Sequence, residues 1–134
     1  MIAQRLLDAL WNESNYDAVD TLLASNYDGH SSTVINGQHG AKQFVSVLRV
    51  AFPDFKFIIE DQISEEDRIA TRWLIQGTHQ GKFQGIAATG KWMTMTGITI
   101  FRIVNGKITE GWTNEDVLGL MQQLGAIPTF DQAT

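Results

Sequence analysis

The chain reads as an α+β protein in which a curved antiparallel sheet wraps around N-terminal helices and encloses a cone-shaped cavity. Three observations predict this. Apolar residues recur at helical spacing from Ile2 to Val50. From Phe55 the period changes to alternation, and four strand-like runs follow one another up to Glu115. The closing DVLGLMQQLG returns to helical spacing. Strands that run together, rather than alternating with helices, belong to the α+β class.

Each element has its own local reason. Ile2, Leu6, Leu7 and Leu10 predict a first helix over about residues 2–12. Ser14 or Asn15 can cap a second, with Ala18, Val19, Leu22 and Leu23 on its apolar side. SNYDGHSS reads as a short extended segment carrying His30, and NGQHG as a turn. A third helix with Phe44, Val45, Leu48 and Val50 stops before Pro53, because the residue ahead of a proline is pushed out of the helical region. FKFIIEDQI and RIATRWLIQGTH are strands joined by a hairpin at SEEDR. In the second of these, Thr71, Trp73, Ile75, Gly77 and His79 share a face. The Gly-rich QGKFQGIAATGK is expected to be a loop over a pocket. WMTMTGITIFRIV and KITEGWTNE form a hairpin about the Asn105–Gly106 dipeptide. Gly125 ends the last helix. Residues 1–127 are expected to form a single domain, with 128–134 as a C-terminal tail.

Bulk composition narrows the function classes. The chain has 134 residues, 43% of them apolar and 19% charged, with a net charge of −5. That suits one soluble domain. No Lys/Arg cluster is present, so neither nucleic acid nor an anionic membrane is an expected partner. No apolar run approaches the length of a membrane span, and the N-terminus lacks the pattern of a secretory signal. The absence of cysteine rules out disulfides, thiolate catalysis and cysteine-ligated clusters, and a cytoplasmic location is the default expectation. The three histidines show no metal-ligand spacing, and no phosphate-cradling loop or nucleophile elbow occurs, so no metal or cofactor is expected.

The candidate chemistry lies where the last strand meets the last helix. Alternation puts Glu110, Trp112, Asn114 and Asp116 on one face, and Thr109, Gly111, Thr113 and Glu115 on the other. If the first face looks inward, Asp116 is a carboxylate among apolar walls, where lost solvation suits it to act as a base near neutral pH. The alternative is an ordinary helix cap, since an Asp just before VLGLMQQLG is a favoured N-cap. His79, on the Trp73 face and beside the Gly-rich loop, is a candidate cavity residue, and so is His30, whereas His39 reads as a surface residue. Apolar residues on both faces of strand 92–104 suggest a sheet covered on both sides, as in a homodimer joined through its sheet.

FPDF at 52–55, GTHQGKFQGIAATGK at 77–91, GITIFRIVNGKITEGW at 97–112 and DVLGLMQQLG at 116–125 resemble the SnoaL-like polyketide cyclases, also called ester cyclases, over about residues 4–126. The resemblance implies the cone-shaped α+β barrel of the nuclear transport factor 2-like (cystatin-like) superfamily. It also implies cofactor-free aldol-type acid/base chemistry on a small hydrophobic carbonyl compound. The acid/base of the characterised cyclases maps onto Asp116, with His30 and His79 as hydrogen-bond donors and Arg102 at a family-typical position. Trp73, Trp112 and Asn114 complete the expected substrate-binding set. Two departures stand out: Glu110-Gly111-Trp112 where many relatives have Glu-His-Trp, and Ala88-Thr89-Gly90 where many have Pro-Thr-Gly. A binding protein without turnover, or a dimerisation module with a filled cone, is the alternative.

Overall fold

The computed structural model describes residues 2–31 and 35–129. The first helix, α1 (Ile2–Leu7), runs on into a π-helical turn at Asp8–Glu13. A π turn holds one more residue than an α turn. Leu6, Leu7, Leu10 and Trp11 line the interior. Asn15, not Ser14, caps α2 (Tyr16–Leu22), accepting from the Ala18 amide at 3.3 Å. α3 (Gly37–Ala51) buries Ala41, Val45, Leu48 and Ala51 and ends at Phe52, ahead of Pro53.

The strands are β1 (Leu23–His30), β2 (Ile35–Asn36), β3 (Lys56–Glu65), β4 (Arg68–Thr78), β5 (Trp92–Val104) and β6 (Lys107–Glu115). They form one curved, unclosed sheet in the order β2-β1-β6-β5-β4-β3. Every pairing is antiparallel except β1 with β6. α1 to α3 sit on the concave side and complete the core with Trp73, Ile75, Met95 and Phe101 from the sheet. α4 (Val117–Gln123) closes the chain, and the Ala126 amide bonds back to the Met121 carbonyl at 2.9 Å. Most of the expected tail, from residue 130 on, lies outside the described residues.

Two local expectations are corrected. NGQHG is not a turn: Asn36 ends β2 and Gly37 begins α3. The Gly-rich segment does not cover the cavity, because none of its residues lines it. It folds instead against the end of α3, where the Gln80 and Gly81 amides both donate to the Ala51 carbonyl and Phe83 packs on Phe52. The Phe52–Phe55 corner is fastened to β4 by Asp54, whose carboxylate accepts from the Thr78 amide at 2.7 Å and its hydroxyl at 2.8 Å. Those bonds hold the Asp54 carboxyl below the usual carboxylate range.

One irregularity decides which face of β6 looks inward. Arg102 pairs with Glu110, but Ile103 pairs with Ile108, so Thr109 is an extra residue on β6. Such a bulge reverses the alternation on one side of it relative to the other. Ile108 is fully buried in the core, and beyond the bulge Gly111, Thr113 and Glu115 face the same interior.

Candidate active site

The concave side of the sheet and the helices enclose a cavity of about 90 Å³. Its walls are mostly apolar, with Trp11, Phe44, Phe57, Trp73 and Phe101 among them. Glu115 is the one carboxylate among the described lining residues, and Thr99, Thr113, Tyr27 and Ser31 add hydroxyls. The register explains this set. Trp73, Gly97 and Glu115 lie in one row across β4, β5 and β6. Gln62, Thr71, Thr99 and Thr113 lie in the adjacent row. The Trp73 indole occupies the space that a side chain at Gly97 would need, and its Nε1–H donates to Thr99 Oγ1 at 2.9 Å. Thr99 Oγ1 is in turn 2.8 Å from Thr113 Oγ1.

Gly111 has a comparable cause. A Cβ there would collide with the Tyr27 hydroxyl, so a tyrosine from β1 fills the place that a side chain at position 111 would take. Burial, reinforced by the negative charges of Asp28 and Glu110, pushes the Tyr27 hydroxyl up to about 12. It therefore stays protonated, and able to donate, throughout the neutral range. Between its ordinary value near 10 and the folded value, the unfolded chain releases this proton while the folded one keeps it. The unfolded state then binds fewer protons, so stability falls as the pH rises through that window, by roughly 2–3 kcal/mol in all. Urea denaturation at pH values on either side of the window should show a shallower loss for Tyr27→Phe than for the unchanged protein.

Several expected site residues lie elsewhere. Asp116 is exposed and serves as the N-cap of α4, its Oδ1 accepting from the Gly119 amide at 2.9 Å. The bulge at Thr109 is the reason: it turns Glu110, Trp112, Asn114 and Asp116 to the convex face and brings Glu115 inward. His79 is wholly buried but does not line the cavity. It lies under Phe52, with Nδ1 accepting from the Thr89 amide at 3.3 Å and 2.9 Å from the Thr89 hydroxyl. Its Nε2 has no hydrogen-bond partner among the described residues. Through Thr89 the imidazole anchors the Gly-rich segment. Of the expected set, Trp73 alone lines the cavity.

His30, Arg102 and Trp112 do come together, but on the convex face. His30 Nε2 is 2.8 Å from Glu110 and 3.6 Å from Asp28, and its ring stacks on Trp112 at 5.7 Å. Arg68 lies over the other ring system at 5.3 Å. Arg102 reaches Asp67 at 3.4 Å and Glu110 at 3.8 Å. The ligating atoms of Asp28, His30 and Glu110 fall within 4.8 Å of one another, a grouping that sequence spacing did not show. Arg102 already balances part of that negative charge.

The family model of the SnoaL-like polyketide cyclases matches residues 1–124. The chain belongs to this family. Among solved structures, a provisionally named polyketide cyclase from Acidithiobacillus ferrooxidans is 30% identical, with a TM-score of 0.79 and 92% of each chain covered. TsrD from Streptomyces laurentii is 28% identical at a TM-score of 0.84, covering 94% of this chain and 96% of its own. AclR from Streptomyces galilaeus, provisionally named a hydroxylase, shares the fold at a TM-score of 0.84 and 24% identity, covering 98% of this chain and 83% of its own. No curated protein matches the sequence. The SnoaL-like fold therefore carries names from two reaction classes, and the site must argue for its own chemistry. No helix among the described residues is long and apolar enough to cross a membrane.

Proposed function

We propose that this SnoaL-like protein is an acid/base enzyme acting on a small hydrophobic carbonyl compound, with Glu115 as the proton-transferring group. The observation that carries the reading is the position of Glu115, the one carboxylate among the described residues that line a mostly apolar cavity. Glu115 removes a proton from the carbon next to the carbonyl. The C–H electron pair becomes the new C=C bond, and the carbonyl π pair moves onto oxygen. The enolate is stabilised by hydroxyl donors on the wall. It then attacks a second carbonyl, as in a ring-closing aldol step, whose π pair moves onto oxygen and takes the proton back from Glu115, or it is re-protonated by Glu115 at a different position. Much of the acceleration would come from holding the reacting atoms together away from water. With cyclopentanone as probe in deuterated water, NMR should show α-hydrogen exchange faster with the protein than with buffer. Exchange at the buffer rate under saturating ketone removes the acid/base assignment and leaves a binding protein of the same fold.

We also propose that a second copy of the chain covers the convex face. Ile98 and Ile100 are 49% and 39% exposed there. Beside them runs a row in the order Asp28, Glu110, Arg102, Arg68. A two-fold axis through that row sets each acidic end against the other copy's basic end. Sedimentation should find a dimer at micromolar concentration and a monomer for Ile98→Glu/Ile100→Glu; a monomeric unchanged protein contradicts the assignment.

A further inference from the structure

The cavity contains more hydrogen-bonding machinery than an apolar container needs. Thr71 and Thr99 are 0% and 5% exposed, and a buried hydroxyl without a partner is costly. The tryptophan nitrogen can only donate. Thr99 Oγ1 therefore accepts from Trp73 and has one hydrogen of its own to place. The oxygen within reach is Thr113 Oγ1, at 2.8 Å. If Thr99 donates to it, the Trp73 nitrogen and the Thr99 hydroxyl are both satisfied, and the Thr113 hydrogen is left to turn into the cavity. The opposite direction would leave the Thr99 hydrogen without a use in a buried place. Thr113 is only half-buried, so it is the member of the chain that can reach a ligand.

We infer that the Trp73–Thr99–Thr113 chain is a carbonyl-binding subsite, in which the Thr113 hydroxyl donates to the oxygen of a short-chain or monocyclic ketone. This deepens the Glu115 reading and rests on it for its catalytic meaning. Thr113 and Glu115 are two residues apart on one strand face, about 6.7 Å along the strand. A ligand whose carbonyl oxygen meets Thr113 thus presents its α-carbon toward the carboxylate. Each hydrogen bond in the chain strengthens the next donor, and such cooperativity is larger where water is excluded. Size sets the substrate class. At about 90 Å³ the cavity has room on the scale of a single five- or six-membered ring, not of a fused polycyclic compound. Trp11 and Trp73 stand among its walls. Trp73 and Thr99 are positioning residues, since they act on the ligand through Thr113.

The test uses cyclopentanone labelled with carbon-13 at the carbonyl, titrated into the full chain and followed by NMR. A hydrogen bond to the oxygen moves the bound carbonyl carbon downfield. The expected result is a downfield shift that Thr113→Val abolishes, Thr113→Ser preserves and Thr99→Val reduces. Affinity should weaken about tenfold for Thr113→Val. Threonine and valine have the same shape, and thermal melts establish that each variant is folded. The bicyclic 2-tetralone should not bind. An identical bound shift in Thr113→Val, or binding of 2-tetralone as tight as that of cyclopentanone, overturns the subsite. Glu115→Gln distinguishes the two readings, because it should keep the shift while losing α-hydrogen exchange. Exchange that is absent from the unchanged protein, with the shift intact, defeats the Glu115 assignment alone.

Discussion

Glu115→Gln is expected to lower protein-catalysed α-hydrogen exchange on cyclopentanone by about 100- to 10,000-fold, the usual contribution of a positioned acid/base. Asp116→Asn is expected to leave the rate unchanged. The two neighbours make a sharp comparison because they differ by one position on a strand end. Glu115 lines the cavity, while Asp116 is exposed and bonded to the Gly119 amide. Asparagine caps a helix about as well as aspartate, so Asp116→Asn should not lower the melting temperature appreciably. Glutamine keeps the size of Glu115 and its hydrogen-bonding capacity, so ketone affinity should persist in Glu115→Gln. A rate loss confined to Asp116→Asn would move the chemistry to the convex face.

Trp11→Ala is expected to have the largest effect on stability. The indole is 9% exposed, stacks on Phe57 at 5.0 Å and meets Phe55 and Phe44 edge-on. Truncating a buried tryptophan costs about 3–5 kcal/mol, part of it from the cavity left behind. For a domain of this length the melting temperature should drop by more than about 10 °C. The same truncation widens the apolar wall, so a folded Trp11→Ala protein should bind 2-tetralone when the unchanged protein does not. Calorimetric melts with and without 2-tetralone read both effects. A loss below about 1 kcal/mol would mean that the helical layer is packed more loosely than the ring contacts indicate.

The sequence was most legible where local chemistry acts alone. The helical spacing of Leu6, Leu7 and Leu10, the stop before Pro53, the Asn105–Gly106 hairpin and the alternation of β4 all correspond to observed elements. The family motifs placed the fold correctly. What was hidden depends on pairing between distant strands. The grouping of Glu115 with Thr113 and Gly111 was visible from alternation, but the direction in which that face points was not. It is set by one extra residue, Thr109, whose bulge exists only relative to β5. The threonine row likewise comes from the register of three strands. The α1 π turn and the two-residue β2 leave no periodic trace of their own. Gly111 was a visible departure, yet its partner Tyr27 lies on a strand far away in the chain. His79 shares the Trp73 face as alternation requires, but the sheet carries it past the cavity to Phe52.

The most direct test of Glu115 as the proton-transferring group follows the side-chain carboxyl carbons of Glu115 and Asp116 by NMR while cyclopentanone is added. The Glu115 signal should move in a saturable way, and the Asp116 signal should stay where it was. A response at Asp116 with Glu115 silent would contradict that role.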